Sequence, residues 1–201
     1  MAFIGRDLEF DGYVVGYKNL HEAAIGGTAI ELERFINAGA DVNGQNDIGK
    51  TPLHEAAYFG CDRNVRNLII HGAKLNITDE QGRTPLHLAC TNHPSRQELS
   101  LMTTFFGVEN KGYRKGADAL IAAGANINAQ DKDGWTPLHH AVYGAHDKLV
   151  SLLLDRGANP AIEAKGGITA LDVATQTNRE PVKKMISERI SAIAKTNQQP
   201  E

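Results

Sequence analysis

A unit of 33 residues recurs along this chain, and that period restricts the possible folds more than any other property of the sequence. Leu20 and Leu53 lie 33 positions apart, as do Thr51 and Thr84, and again Thr136 and Thr169. Gly39, Gly72 and Gly157 keep the same phase. One interval is longer: Thr84 to Thr136 and Gly72 to Gly124 each measure 52, so 19 extra residues lie inside the third copy. Units this short cannot bury an apolar face alone, so the copies must stack into an open row.

Each unit has a physical reading of its own. Asp79-Glu80-Gln81-Gly82 and Asp131-Lys132-Asp133-Gly134 are turn signals, in which Asp supports the first position and Gly tolerates positive φ. Thr then stands where a helix N-cap belongs and Pro fills the first helical position, so Thr51-Pro52, Thr84-Pro85 and Thr136-Pro137 each start a helix. Ala23, Ala56, Ala89, Ala141 and Ala174 let neighbouring helices approach closely. A second helix carries the run Leu149, Val150, Leu152, Leu153, Leu154 and stops at Gly157.

This Thr-Pro-Leu-His-x-Ala core, followed by Leu-Leu-Leu and Gly-Ala-Asn, resembles the ankyrin repeat. The resemblance implies an all-α solenoid of stacked helix-turn-helix units joined by β-hairpins or turns, with protein-protein binding as its function. It also implies that His21, His54, His87 and His139, one per copy, bond neighbouring backbone and tie successive turns together. A metal site is not expected from them, because tetrahedral ligands must converge. The adjacent His139 and His140 point about 100° apart on a helix and cannot clamp one ion.

Taken in order, residues 1–12 form a leader without repeat signal. Repeats follow at about 13–45, 46–78, 79–130, 131–163 and 164–190, and 191–201 is a polar tail. The first repeat has Lys18-Asn19 where later ones have Thr-Pro, and the fifth reads Thr169-Ala170-Leu171-Asp172, as terminal repeats with one free face should. Asn67 replaces a leucine of the second repeat's apolar run and should weaken that helix locally. Asn43, Asn76 and Asn128 read as turn formers. Within the third repeat an insertion near 93–112 opens with Ser95 and Glu98 at capping-box spacing, then Leu99, Met102 and Phe106 at helical spacing. Its apolar residues either pack the insertion onto the row or offer a docking surface; the two readings are compatible.

Composition narrows the function. A net charge of -3 argues against a nucleic-acid or anionic-membrane partner. No window approaches the length of a membrane span, and Arg6, Asp7 and Glu9 interrupt any signal-peptide core. Cys61 and Cys90 fall at non-equivalent positions and read as reduced thiols, which places the chain in a cytoplasm; for a bacterial source, delivery into a host cell by a non-classical route is compatible with this. No phosphate-cradling loop, dinucleotide fingerprint or metalloprotease motif occurs, Cys90 and His93 lack an orienting third group, and neither enzyme activity nor a cofactor is expected.

The resemblance also implies which residues meet a partner, since hairpin tips and the outer face of the first helix line a concave groove in such arrays. The tips offer Tyr17, Ile48, Lys50, Arg83, Lys132 and Trp135; the helix face offers Tyr58, Phe59, His140 and Tyr143; the insertion adds Phe105 and Phe106. Tyr, Trp and Arg are the types enriched at interface hot spots. The expected protein is thus a non-catalytic adaptor, inhibitor or effector, monomeric when free. The alternatives are a structural protein that self-assembles through the insertion, or an enzyme with its site there.

Overall fold

A computed structural model describes residues 9–10, 13–14, 17–91 and 113–196. Strands β1 (Glu9–Phe10) and β2 (Tyr13–Val14) pair antiparallel, so this hairpin straddles the boundary expected at residue 12. Helix pairs follow: α1 (Leu20–Gly26) with α2 (Ala29–Asn37), α3 (Pro52–Tyr58) with α4 (Asp62–Ile70), and α5 (Pro85–Cys90) with α6 (Tyr113–Ala122). Next come α7 (Pro137–Tyr143) with α8 (Asp147–Asp155), then α9 (Ala170–Gln176) with α10 (Glu180–Thr196). The last helix runs on past the limit of 190 expected for the fifth repeat. The insertion near 93–112, with Phe105 and Phe106, lies outside the described residues.

First helices stack on first helices and second helices on second, giving a two-layered all-α solenoid. Alanine makes this approach possible: Ala23, Ala56, Ala89, Ala141 and Ala174 are all fully buried at the contact. Leu53, Leu86, Leu138, Leu68, Leu120 and Leu153 fill the space between the layers, each worth about 1.5–3 kcal/mol when removed from water. Each Thr-Pro pair acts as expected, with Thr51, Thr84 and Thr136 extended at the N-cap and proline in the first turn.

The histidine column is where cap and stack join. Nδ1 of His54 accepts from the Thr51 backbone N–H (3.0 Å) and the Thr51 hydroxyl (2.8 Å), while Nε2 lies 3.0 Å from the Arg83 carbonyl of the next repeat. A ring nitrogen facing a backbone N–H must be the acceptor, so the proton sits on Nε2 and is donated to that carbonyl. His87 and His139 repeat the arrangement, reaching the carbonyls of Trp135 (3.0 Å) and Ile168 (3.1 Å), and His21 reaches Lys50 (2.9 Å). Burial pushes the His54 and His87 rings down to about 4, so they are neutral at pH 7.

Asparagine does more than form turns. The Asn43 side chain accepts from the Lys74 backbone N–H (2.7 Å), Asn76 from Asn126 (2.9 Å) and Asn128 from Asn159 (2.9 Å), each tying one repeat to the next on the far side of the stack. The tips are tied as well: Glu80, Lys132 and Lys165 donate their backbone N–H to the carbonyls of Ile48, Gln81 and Asp133. Glycine is required there twice over. Gly82 has φ +78°, and a Cβ would come 2.9 Å from the Lys132 nitrogen.

Asn67 is buried and holds only a long contact, 3.5 Å, with the Ala29 carbonyl. Its neighbour Asn64, which the repeat pattern did not single out, carries more. Buried in the position that Leu149 occupies two repeats later, it donates to the carbonyls of Ala24 (3.1 Å) and Gly27 (2.9 Å) and caps the end of α1. The residue before a second helix also reaches back: Cys61 Sγ–H donates to the Ile25 carbonyl, and His146 Nε2 to that of Thr91 at 3.0 Å. Thr91 is therefore held by the fourth repeat, and at the start of α6 the Tyr113 ring seats on Gly60 of the second, which has φ +69°.

Candidate protein-binding face

Positions on the tips and on the outer side of the first helix are not consumed by the stack, and the structure shows what each does. In the second repeat the Asn46 side chain accepts from the N–H groups of Ile48 (3.2 Å) and Lys50 (2.9 Å) and donates to Glu55 Oε1 (3.3 Å). Lys50 Nζ then lies 3.8 Å from Glu55 Oε2 and 4.9 Å from the centre of the Tyr58 ring. One face of Tyr58 is thus covered by an ammonium that another side chain already positions. Ile48 at the tip is 46% exposed.

Phe59 does not belong to this open face. Its ring is buried and meets Tyr58 edge-on at 5.0 Å, so it is an interior residue, contrary to the expectation from its place in the repeat. Equivalent positions hold Gly26, Gly144 and Thr177, and no pattern in them announces a buried aromatic.

In the third repeat Arg83 is committed to its own turn, with Nε 2.9 Å and Nη2 2.7 Å from the buried Asp79 carboxylate. Its side chain is one quarter exposed. The helix position that Glu55 occupies in repeat two is Leu88 here, and it is buried.

The fourth repeat gathers the aromatic residues. Asp131 accepts from the N–H groups of Asp133 and Trp135 through Oδ1, and its Oδ2 lies 2.8 Å from His140 Nε2. Burial alone would push this carboxyl up; the bonds from His140 and the backbone outweigh it and hold Asp131 below the usual carboxylate range. His140, so anchored, stands 5.1 Å from Trp135 and 5.6 Å, edge-on, from His87. Trp135 in turn meets Tyr143 edge-on at 5.5 Å. Tyr143 is 58% exposed, so the cluster runs from an anchored base to an open tip.

Tyr17 is half-buried at the first repeat, its hydroxyl pushed up to about 12 by burial and by Glu31 and Cys61. Lys132 is exposed beside the aromatic cluster. Among the described residues no group of three or more His, Cys, Asp or Glu could hold a metal ion. Cys90 is fully buried, which drives its thiol far above the ordinary range and removes it as a nucleophile. His93 lies outside the described residues. No helix among those described is long and apolar enough to cross a membrane.

Helix pairs in register, Thr-Pro caps, a histidine tie at every joint and glycine-tipped turns define a repeat solenoid of one particular kind. A model of the family described as ankyrin repeats in three copies matches residues 19–99 and 105–197, and the chain belongs to the ankyrin-repeat family. Similar segments occur in three otherwise different proteins. An ADP-ribosylation factor GTPase-activating protein of Arabidopsis thaliana, AGD4, is 41% identical over 59 residues, 29% of this chain and 8% of its own. The 2-5A-dependent ribonuclease of Homo sapiens is 45% identical over 56 residues, 27% of this chain and 8% of its own. Protein phosphatase 1 regulatory subunit 12A of Mus musculus is 39% identical over 66 residues, 33% of this chain and 6% of its own. The chain thus matches less than a tenth of each of these relatives.

Proposed function

We propose that this chain is a non-catalytic adaptor, inhibitor or effector that holds one protein partner against its tips and first helices. Ankyrin repeats generally mediate protein-protein interaction, and a similar segment lies in a protein named a regulatory subunit. The observation that carries the reading is the cluster of Trp135, His140 and Tyr143, ending in a tyrosine 58% exposed at a position the stack leaves free. Tyr58 and Ile48 extend the apolar contact toward the second repeat. Tyr17, Lys50, Arg83 and Lys132 form its polar margin, and Phe105 and Phe106 of the insertion remain candidate contacts. Free thiols at Cys61 and Cys90 accord with a reducing compartment such as the cytoplasm.

The test is a double substitution, Trp135→Ala with Tyr58→Ala, compared with wild type for partners captured from the source organism's lysate. Hot-spot truncations cost about 2 kcal/mol or more, so the captured partner should be lost while thermal unfolding stays close to wild type. Equal capture by both proteins would refute the assignment of this face. Sedimentation of the free protein should give the mass of a monomer; a larger mass would favour self-assembly instead.

A further inference from the structure

The second helices carry a charge pattern that neither folding nor the groove uses. Asp62 is paired with Arg66, Asp118 with Arg156, Asp147 with Arg179 and Glu180 with Lys183. Each of these acidic side chains is therefore already paired with a cation. Arg63 on α4, Arg114 and Lys115 on α6, and Lys148 on α8 are exposed and have no acidic partner among the described residues. Arg63, Lys115 and Lys148 occupy the same position of three consecutive repeats, with Arg114 beside them, and the three helices pack side by side. The chain as a whole carries -3, so this patch is a local excess and not a reflection of a basic protein. Four like charges kept close together on adjacent helices repel one another and contribute nothing to the stack.

We infer that this second-helix face, from Arg63 to Lys148, is a docking surface for an acidic, extended segment of a protein, separate from the groove. The dimensions select the occupant. Neighbouring helices lie about 8–10 Å apart, so two steps are spanned by an extended segment of about six residues. Carboxylates on such a segment are short enough to meet the guanidinium and ammonium groups in pairs. A single-stranded nucleic acid fits less well: among the described residues the aromatic beside these cations is Tyr113, and its ring is part-buried against Gly60 instead of open to stack a base. The inference does not depend on the groove, since none of its residues touches Trp135, His140 or Tyr143.

A fluorescent peptide containing six consecutive glutamates, titrated with the full chain and followed by anisotropy, tests it. The peptide should bind at about 0.05 M salt and weaken as salt rises to about 0.3 M. Replacing Arg63, Arg114, Lys115 and Lys148 together by serine should lower the affinity about tenfold or more at low salt, with unchanged thermal unfolding. A control of the same net charge replaces Lys18, Lys74, Lys165 and Lys195 by serine and should bind within about twofold of wild type. The milder pair Lys115→Gln with Lys148→Gln should fall between, which covers the case of a quadruple variant that folds poorly. Trp135→Ala should leave peptide binding as it is. Failure of the wild type to bind, or equal loss in patch and control variants, would overturn the inference. Tighter binding of oligo-dT or of phosphatidylserine vesicles at the same four residues would also overturn it, in favour of a nucleic acid or a membrane. Loss of peptide binding in the patch variant alone, with lysate capture through Trp135 intact, would establish two separate surfaces.

Discussion

Protonating His54 or His87 would place a new N–H against the threonine backbone N–H that Nδ1 now accepts, so the folded chain resists that proton and the unfolded chain does not. The folded rings titrate near 4 and unfolded histidine near 6.5, so the unfolded chain binds more protons between those values. Stability should be full above about pH 6.5 and fall as the pH drops toward 4, by on the order of 3 kcal/mol for each ring. Thermal midpoints measured across that window check this, and the chain with His54→Gln and His87→Gln should show a smaller acid-induced decline. Asparagine gives a second contrast at this scale. Asn64→Leu restores the residue found at the equivalent place in repeat four, yet it strips a donor from the Ala24 and Gly27 carbonyls and should destabilise by about 1–3 kcal/mol. Asn67→Leu gives up only the 3.5 Å contact and gains apolar burial, so it should be neutral or stabilising. Chemical denaturation of the two single variants decides; equal losses would mean that Asn64 is not the cap of α1.

The elements divide the glycines into two kinds that look alike in the sequence. Gly72 ends α4 with φ +83° and nothing within 4 Å of a notional Cβ, whereas Gly82, with φ +78°, faces the Lys132 nitrogen at 2.9 Å. Alanine at either site meets the left-handed penalty of about 1–2 kcal/mol. Only Gly82→Ala must also push apart the tips of repeats three and four and stretch the Lys132 to Gln81 bond, so it should cost clearly more than Gly72→Ala in urea unfolding. At the other end of the unit, Thr84→Ala removes the hydroxyl 2.9 Å from His87 Nδ1 and should cost about 1 kcal/mol or somewhat more. Caps, stops and buried leucines could be read from the sequence because each depends on residues within one repeat. Asn64, Cys61 and His146 could not, because their roles depend on which atoms the neighbouring repeat presents to them.

For the molecule as a whole, the 33-residue period was enough to define the array, and the places where a partner could meet it followed from the family resemblance. The aromatic cluster was legible as a set of residues, Trp135, His140 and Tyr143, though not as a ring contact anchored by Asp131, because the same two positions hold Asn46 and Glu55 in repeat two and the change of residue types hides the shared pairing. The insertion is testable at this scale. Thr91 and Tyr113 are each held by a flanking repeat, so replacing 93–112 with a short turn should preserve the melting temperature. Loss of partner capture in that shortened chain would make the insertion a specificity element; unchanged capture would make it dispensable. The histidine ties also give the row a direction, since each ring belongs to one repeat but fastens the next. In the fifth repeat Asp172 takes that place; its carboxylate accepts from the Thr169 N–H (2.8 Å) and hydroxyl (2.6 Å) and offers no donor outward. The ties thus run one way along the row like links each closed on the next: a repeat grafted after the fifth would lack the ring tie, and Asp172→His is the change that would supply it.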